Sequence, residues 1–190
     1  MNGIESLPIP KERNLFLDKQ VDQKSINALT KEIISINEHD QKLIKLYDVY
    51  GLTYTPKPIN IYIDSYGGDV YQALGLISVI DASEVPVYTI CTGSAKSAAF
   101  LILVCGHYRY CYKNSTMLYH QISTEYMFGT VKGMDEDLGE SKRLLKKMEE
   151  IVTSRTKITK KMLREVYDCK VDWYLSATEA FKLQIVDEII

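Results

Sequence analysis

The sequence predicts an α/β protein, in which short apolar strands alternate with amphipathic helices along most of the chain. Apolar strand patterns are repeatedly followed by helix-spaced apolar residues, and neither internal repeats nor low-complexity tracts interrupt the alternation. Such alternation is typical of crossover connections between strands. A length of 190 residues and a hydrophobic content of 46% favour a single domain, residues 1–190, with a packed core.

The first half of the chain is predicted to hold three strands and two main helices. Apolar strand patterns cover residues 15–17, 59–63 and 87–91. Asp22 is a preferred N-cap residue, and apolar residues follow it at spacings of 3, 4 and 3, which predicts a helix. These residues are Ile26, Leu29, Ile33 and Ile36. The second helix carries Val70, Ala73, Leu74, Ile77 and Ile80. Residues 38–58 are expected to contain a short extra helix.

The second half begins with an apolar helix over residues 98–104. Two strands follow, over residues 107–112 and 116–119. A long helix over residues 134–156 then carries one narrow apolar stripe, which must pack against its own domain or against another subunit. The stripe consists of Met134, Leu138, Leu145, Met148 and Val152. Ser176–Glu179 has the pattern of a capping box that opens a last short helix, and residues 185–187 are predicted to form a strand.

Ser97 is a candidate nucleophile because it lies between the strand over residues 87–91 and the helix over residues 98–104. A hydroxyl at the first turn of a helix is close to unpaired backbone N–H groups and to the positive end of the helix dipole. The small residues around it leave room for a peptide backbone. Because serine is also a common helix N-cap, the segment alone leaves a purely structural role open.

Two further segments supply the chemistry that a serine nucleophile requires. His120 ends the strand over residues 116–119, where its imidazole is a candidate general base. Gly67 and Gly68 follow the strand over residues 59–63. Because glycine permits positive φ and leaves its N–H group accessible, this pair is a candidate oxyanion hole.

Charge and cysteine content limit the classes of function. A net charge of −2 gives no electrostatic reason to expect nucleic acid or an anionic membrane as a partner. The four cysteines show no C-x-x-C spacing, which favours reduced core thiols in a cytoplasmic protein. No charged-then-apolar leader and no run of about 18 apolar residues is present, so neither secretion nor membrane spanning is expected. No metal or cofactor site is predicted.

Four segments together resemble the proteolytic subunit of the Clp protease family, ClpP, and the resemblance covers residues 12–188. In chain order they are Ser65–Gly68, Gly93–Phe100, Leu118–Gln121 and Asp172–Ala180. The resemblance implies a catalytic triad of Ser97, His120 and Asp172, with an oxyanion hole formed by the N–H groups of Gly68 and Ala98. It also implies the ClpP/crotonase-like spiral of β-β-α units.

The resemblance implies a serine endopeptidase that cuts peptides and unfolded proteins inside a homo-oligomeric ring. The expected ring is a heptamer or a stacked double ring, which an ATP-dependent unfoldase of the AAA+ class would feed. A strand followed by the long helix, over approximately residues 123–158, would form a protruding handle that interlocks two rings. We use the name handle for this unit below.

Several positions depart from the family pattern. Lys96 stands where the family has a small residue, and Tyr66 replaces the proline of the oxyanion turn. A lysine beside Ser97 suggests a Ser–Lys dyad as an alternative mechanism. Neighbouring residues of a helix point about 100° apart, however, which argues against a direct contact between the two side chains. Lys170 and Val171 replace an acid–arginine pair associated with ring–ring contact, and the segment 1–10 is shorter than the family leader that meets the ATPase. These departures leave the double ring and the unfoldase partner open.

Three other functions are compatible with parts of the sequence. A non-catalytic ClpR-like ring subunit would have the same fold, but it would lack a triad member. A phage-type peptidase that trims capsid proteins would explain the short leader. A crotonase-like acyl-CoA enzyme would share the oxyanion turn without requiring the Ser97–His120–Asp172 set, so the triad argues against it.

Overall fold

A computed structural model describes residues 10–122, 129–169 and 172–190 of the chain. In this part of the chain, seven strands form one sheet with the order β1-β2-β3-β4-β7, and β5 and β6 extend from β3. The strands are β1 (Asn14–Leu17), β2 (Ile59–Ser65), β3 (Val87–Lys96), β4 (Tyr108–Cys111), β5 (Thr116–Tyr119), β6 (Trp173–Ser176) and β7 (Glu188–Ile189). All pairings are parallel except the antiparallel pair of β5 and β6.

Six helices connect or flank these strands in the described residues. They are α1 (Gln23–Val49), α2 (Val70–Asp81), α3 (Ala98–Val104), α4 (Val131–Arg155), α5 (Lys160–Cys169) and α6 (Ala177–Lys182). The mixed α/β class with a parallel sheet is therefore confirmed. None of the helices in these segments is long and apolar enough to cross a membrane.

Helix α1 begins where the sequence predicts and ends much later. Asp22 and Ser25 form a reciprocal capping box at its start, and the predicted apolar residues are buried. The prediction of a separate short helix within residues 38–58 is wrong, because α1 continues without a break to Val49. Leu43 is buried in this extension, so the helix keeps the same face against the core.

A buried ion pair fastens the extension of α1 to the start of β1. The Arg13 guanidinium donates two hydrogen bonds to the Asp40 carboxylate, with N–O distances of 2.7 and 2.5 Å. Tyr54, in the loop that returns to β2, donates to the same carboxylate at 3.0 Å. The hydrogen bonds that Arg13 donates to Asp40 raise the pKa of Arg13 above its ordinary value. The end of α1 and the loop that returns to β2 are therefore tied to the start of β1.

The end of the chain differs from the predicted strand over residues 185–187. Gln184 adopts a φ of 52°, and the Ile185 N–H donates to the Ala180 carbonyl as α6 ends. This bond removes Ile185 from any strand ladder, and its side chain is buried in the core. The first backbone hydrogen bond to β4 comes from the Asp187 N–H, which donates to the Arg109 carbonyl at 2.7 Å, and the strand β7 covers Glu188–Ile189.

Helix α4 covers nearly the predicted long helix and packs on its own domain at one end. Its buried residues lie in the C-terminal half: Leu144, Met148, Ile151 and Val152. Nearer its N-terminus, Val131 and Leu138 are exposed. An extended segment is expected over residues 126–133, of which 126–128 lie outside the described residues. Residues 131–133 are instead the first turn of α4, which the Thr130 side chain caps, so that part of the expectation is wrong. Residues 170–171, before Asp172, also lie outside the described residues.

We predict that Asp40→Asn lowers the free energy of unfolding by about 3 kcal/mol, because it leaves the buried Arg13 charge uncompensated. Urea denaturation monitored by circular dichroism measures this change. The matched control is Asp18→Asn, since Asp18 is exposed, and it should change stability by less than about 0.5 kcal/mol. Equal unfolding midpoints for the two variants would contradict the structural role of the ion pair.

The cysteines differ sharply in burial. Burial raises the pKa of the Cys91 and Cys105 thiols to about 12 and that of Cys111 to about 11, whereas Cys169 is exposed. Because only the thiolate reacts, we predict that an aromatic disulfide reagent at pH 8 rapidly modifies a single thiol of the native protein, that of Cys169. Cys169→Ser should remove that fast phase, and unfolding should expose the other three thiols. Fast modification of the Cys169→Ser variant in its native state would refute the assignment.

Candidate active site

The candidate site begins with a change of partner along β3. Its first half pairs with β4, and its second half, from Ser94, pairs with β5. The ladder continues one residue beyond the strand, since the Ser97 N–H donates to the Leu118 carbonyl at 2.9 Å. Helix α3 then starts at Ala98, and all of its residues are buried. An apolar helix of this kind holds its N-terminus in a fixed position against the sheet.

Ser97 has a strained backbone, and its hydroxyl does not cap helix α3. Its φ of 55° and ψ of −123° lie in a region that non-glycine residues rarely adopt. Its side chain makes no capping hydrogen bond, although it occupies the N-cap position of α3. The N-cap explanation of this serine therefore fails, and backbone strain of this kind is concentrated at functional sites.

His120 and Asp172 face each other across β5 and β6. These strands pair with Tyr119 opposite Trp173, so the next step of the register places His120 opposite Asp172. His120 Nδ1 lies 3.8 Å from Asp172 Oδ1. The His120 side chain is 26% exposed and the Asp172 side chain is 54% exposed, so the pair is accessible from solvent.

Neither of the two side-chain hydrogen bonds that a catalytic triad needs is formed between these described residues. In the segments described, no hydrogen bond joins the Ser97 hydroxyl to His120, and the 3.8 Å between His120 and Asp172 exceeds hydrogen-bond length. Catalytic hydrogen bonds are often long in unliganded enzymes and shorten when substrate binds. The structure thus brings the three predicted residues onto neighbouring strands in an open arrangement.

The glycine turn approaches Ser97 as an oxyanion hole requires. A Cβ atom on Gly67 would lie 2.5 Å from the Lys96 carbonyl oxygen and 2.7 Å from Ser97 Cβ. Gly67 also has a φ of 94°, so a side chain is excluded both by space and by backbone conformation. The family resemblance implies that this turn lies near Ser97, and in the structure Gly67 itself makes the contact.

The N–H groups of Gly68 and Ala98 remain available for a ligand. Gly67 N–H donates to Ser65 Oγ at 3.1 Å, and Asp69 N–H donates to the Val21 carbonyl at 2.8 Å. Between them, the Gly68 N–H has no acceptor in the described part of the chain. The Ala98 N–H belongs to the first turn of α3, where a helix leaves its amides unpaired. A cleft of about 470 Å³ borders the turn on the side of residues 18–20, and neither Ser97 nor Ala98 is among the residues that line it.

Other candidate groups are engaged elsewhere. His107 Nδ1 accepts a hydrogen bond from the Val87 N–H at 3.0 Å, which is a structural role. The Lys96 ammonium lies over two tyrosine rings, and no hydrogen bond joins it to Ser97 in the described residues, so the structure gives a Ser–Lys dyad no support. The described segments also contain no cluster of three or more His, Cys, Asp or Glu side chains that could hold a metal ion.

Sequence reasoning missed two residues that support the site. Gln121 Nε2 donates to the Tyr167 carbonyl at 2.7 Å, which ties the segment after His120 to α5. Asp64 Oδ1 accepts hydrogen bonds from the N–H and the hydroxyl of Ser94, which fastens β2 to β3 before Ser97. The position of Gln121 beside His120 was a sequence signal for the Gln121 contact. The Asp64–Ser94 contact depends on a bulge in the pairing of β2 with β3, which no local sequence pattern predicts.

Comparison with known proteins identifies a family that matches most of the chain. The Clp protease family matches residues 52–190, which include all the candidate site residues. An ATP-dependent Clp protease proteolytic subunit 1 from Corynebacterium glutamicum is 28% identical over 181 residues, covering 94% of this chain and 79% of that protein. An ATP-dependent Clp protease proteolytic subunit from Bacteroides fragilis is 27% identical with the same coverage.

A third relative extends the match to another group of bacteria. The ATP-dependent Clp protease proteolytic subunit of Dehalococcoides mccartyi is 27% identical over 184 residues, covering 95% of this chain and 82% of that protein. The identities are low and the coverage is nearly complete, as expected for a divergent member with an intact fold. The chain therefore belongs to the Clp protease family.

Proposed function

We propose that this chain is the peptidase subunit of a Clp-type protease and that it hydrolyses peptide bonds with Ser97, His120 and Asp172. The observation that carries the proposal is the order of three neighbouring strands. β5 stands between β3 and β6, so His120 lies between the nucleophile and the acid. A general base must occupy this middle position, because it exchanges a proton with one neighbour and is oriented by the other.

The proposed reaction follows the two-step course of serine peptidases. Ser97 Oγ attacks the scissile carbonyl carbon while His120 takes the hydroxyl proton, and Asp172 stabilises the charged imidazole. The N–H groups of Gly68 and Ala98 bind the oxyanion, each contributing about 3 kcal/mol. His120 then protonates the departing amine, which leaves an ester on Ser97. A water molecule, activated by the same imidazole, hydrolyses that ester and restores the hydroxyl.

The backbone strain at Ser97 suits this mechanism. It keeps the hydroxyl outside the N-terminal turn of α3, where it would otherwise cap the helix. The close contact of Gly67 with Ser97 Cβ holds the oxyanion donors next to the attacking oxygen. The donors are fixed before substrate arrives, so little reorganisation is needed in the transition state.

The alternative functions are less well supported. A ClpR-like subunit without activity would lack a triad member, whereas this chain has all three residues on adjacent strands. A crotonase-like enzyme has no need of that set. A capsid-trimming peptidase of the same fold would use the same site on a different protein substrate, so it remains a variant of the proposed reaction.

We extend the proposal to the assembly that the family resemblance implies. Peptides or unfolded proteins would be cut inside a homo-oligomeric ring, a heptamer or a stacked double ring, fed by an AAA+ unfoldase. The relatives are named ATP-dependent Clp protease proteolytic subunits, which supports an ATPase partner. The handle, approximately residues 123–158, would join two rings. Leu138, which is 43% exposed on α4, supports such a contact because the domain leaves it uncovered.

We predict that Ser97→Ala abolishes hydrolysis of fluorogenic peptides and leaves the fold intact, because the hydroxyl provides the nucleophile and no capping bond. Activity and circular dichroism measure the two effects. Ser78→Ala is the matched control and should leave both unchanged, since Ser78 is exposed and its hydroxyl bonds only the Leu74 carbonyl of its own helix, α2. Turnover by Ser97→Ala at the wild-type rate would remove Ser97 from the mechanism.

We predict that His120→Ala and Asp172→Asn each reduce kcat by about a thousandfold or more, because triad members act as a unit. The double variant should be no worse than His120→Ala alone. Wild-type turnover should also fall at acid pH, since a protonated imidazole cannot accept the Ser97 proton. Additive losses in the double variant, or a rate that does not change from pH 5 to pH 8, would argue against a shared mechanism.

We predict that Leu138→Glu breaks the assembly, because it places a charge in an apolar contact that the domain itself does not supply. Light scattering measures the particle mass. Lys147→Glu, on the opposite side of α4, is the control and should leave the mass unchanged. Met148 is unsuitable for this test because its side chain is buried in its own domain. A wild-type monomer at micromolar concentration would contradict the ring.

A further inference from the structure

We propose that Lys96 makes this site prefer peptides that carry a carboxylate side chain next to the scissile bond. The inference rests on the proposed peptidase function and adds a substrate class to it. Its basis is a cluster of three side chains, Lys96, Tyr66 and Tyr174, which we call the lysine clasp.

Each member of the lysine clasp comes from a different part of the candidate site. Tyr66 directly precedes Gly67 in the oxyanion turn, Lys96 directly precedes Ser97, and Tyr174 lies two residues after Asp172. Lys96 Nζ lies 4.3 Å from the centre of the Tyr66 ring and 5.8 Å from the centre of the Tyr174 ring. Both distances are within the range of cation–π attraction. The ammonium is therefore held within one residue of the nucleophile and of the oxyanion turn.

The positive charge in the clasp is not neutralised. No carboxylate of the described residues lies within ion-pair distance of Lys96 Nζ, although eight other ion pairs are formed in these segments. Tyrosine rings attract the ammonium without supplying a negative charge. Tyr66 is 77% exposed and Tyr174 is 55% exposed, so the clasp is open to a ligand. A carboxylate is the group that completes such a site.

The location of the clasp determines which part of a peptide it would meet. Gly67 contacts Ser97 Cβ, so the carbonyl under attack must lie beside the same turn that carries Tyr66. A side chain one or two residues from the scissile bond can reach the ammonium from there. The substrate class is therefore a peptide with Asp or Glu close to the cut.

The test compares matched peptides that differ only in Glu against Gln at positions flanking the scissile bond. Wild-type protein should show kcat/KM about tenfold higher for the Glu member at one of these positions, and the advantage should shrink in high salt. Lys96→Met should bring the Glu/Gln ratio to about one, and Lys96→Arg should keep the preference because it keeps the charge. Lys113→Met, in the turn between β4 and β5, is the control.

The outcomes separate this inference from the proposed function. Hydrolysis that is lost in Ser97→Ala tests the peptidase proposal, whereas the Glu/Gln ratio tests the clasp. Binding of the same peptides to the Ser97→Ala protein, measured by fluorescence anisotropy, gives that ratio without turnover. A ratio near one in wild type overturns the inference. So does a Lys96→Met variant that lowers kcat for both peptides and keeps their ratio, because that pattern belongs to a positioning residue.

Discussion

The candidate site depends on the hydrogen-bonded pairing between the second half of β3 and β5. The Ser97 N–H donates to the Leu118 carbonyl at 2.9 Å, which fixes Ser97 relative to the strand that His120 follows. β6 pairs with the other edge of β5 and brings Asp172 opposite His120. Three residues separated by up to 75 positions are thereby aligned by one ladder of backbone bonds. Side-chain contacts refine this arrangement, but the backbone pairing creates it.

The same ladder explains how strain at Ser97 is tolerated. A positive φ at a serine costs free energy of about 1–3 kcal/mol, and it persists only where surrounding contacts enforce it. Here the buried helix α3 holds one side of Ser97, the β5 carbonyl holds its amide, and Gly67 packs against its Cβ. Asp64 and Gln121 fasten the adjoining segments. The rigidity of the site therefore comes from groups that would take no part in the chemistry.

Much of this arrangement could be predicted from the sequence, because local patterns carry it. Residues close together in the sequence determine three of its features: the apolar period of α1, the capping box of α6 and the strand that ends before His120. The grouping of Ser97, His120 and Asp172 came from the family resemblance, and the strand order supports it. Neither the antiparallel pairing of β6 with β5 nor helix α5 was predicted, since both depend on partners far along the chain.

The errors have physical causes of the same kind. The extension of α1 buries Asp40, which breaks the apolar pattern. Hydrogen bonds from Arg13, 27 positions earlier, and from Tyr54 compensate that burial. At the other end, Ile185 and Val186 have the composition of a strand, but the positive φ of Gln184 directs them into the core. In both places tertiary contacts, which the local sequence pattern does not contain, determine the conformation of the backbone.

Covalent labelling shows whether Ser97 is an activated nucleophile. Purified protein should be treated with a fluorophosphonate and measured by intact-protein and peptide mass spectrometry. We expect one adduct per chain, located on Ser97, formed slowly in His120→Ala and absent from Ser97→Ala. An unlabelled wild-type protein, or equal labelling of wild type and Ser97→Ala, would contradict it.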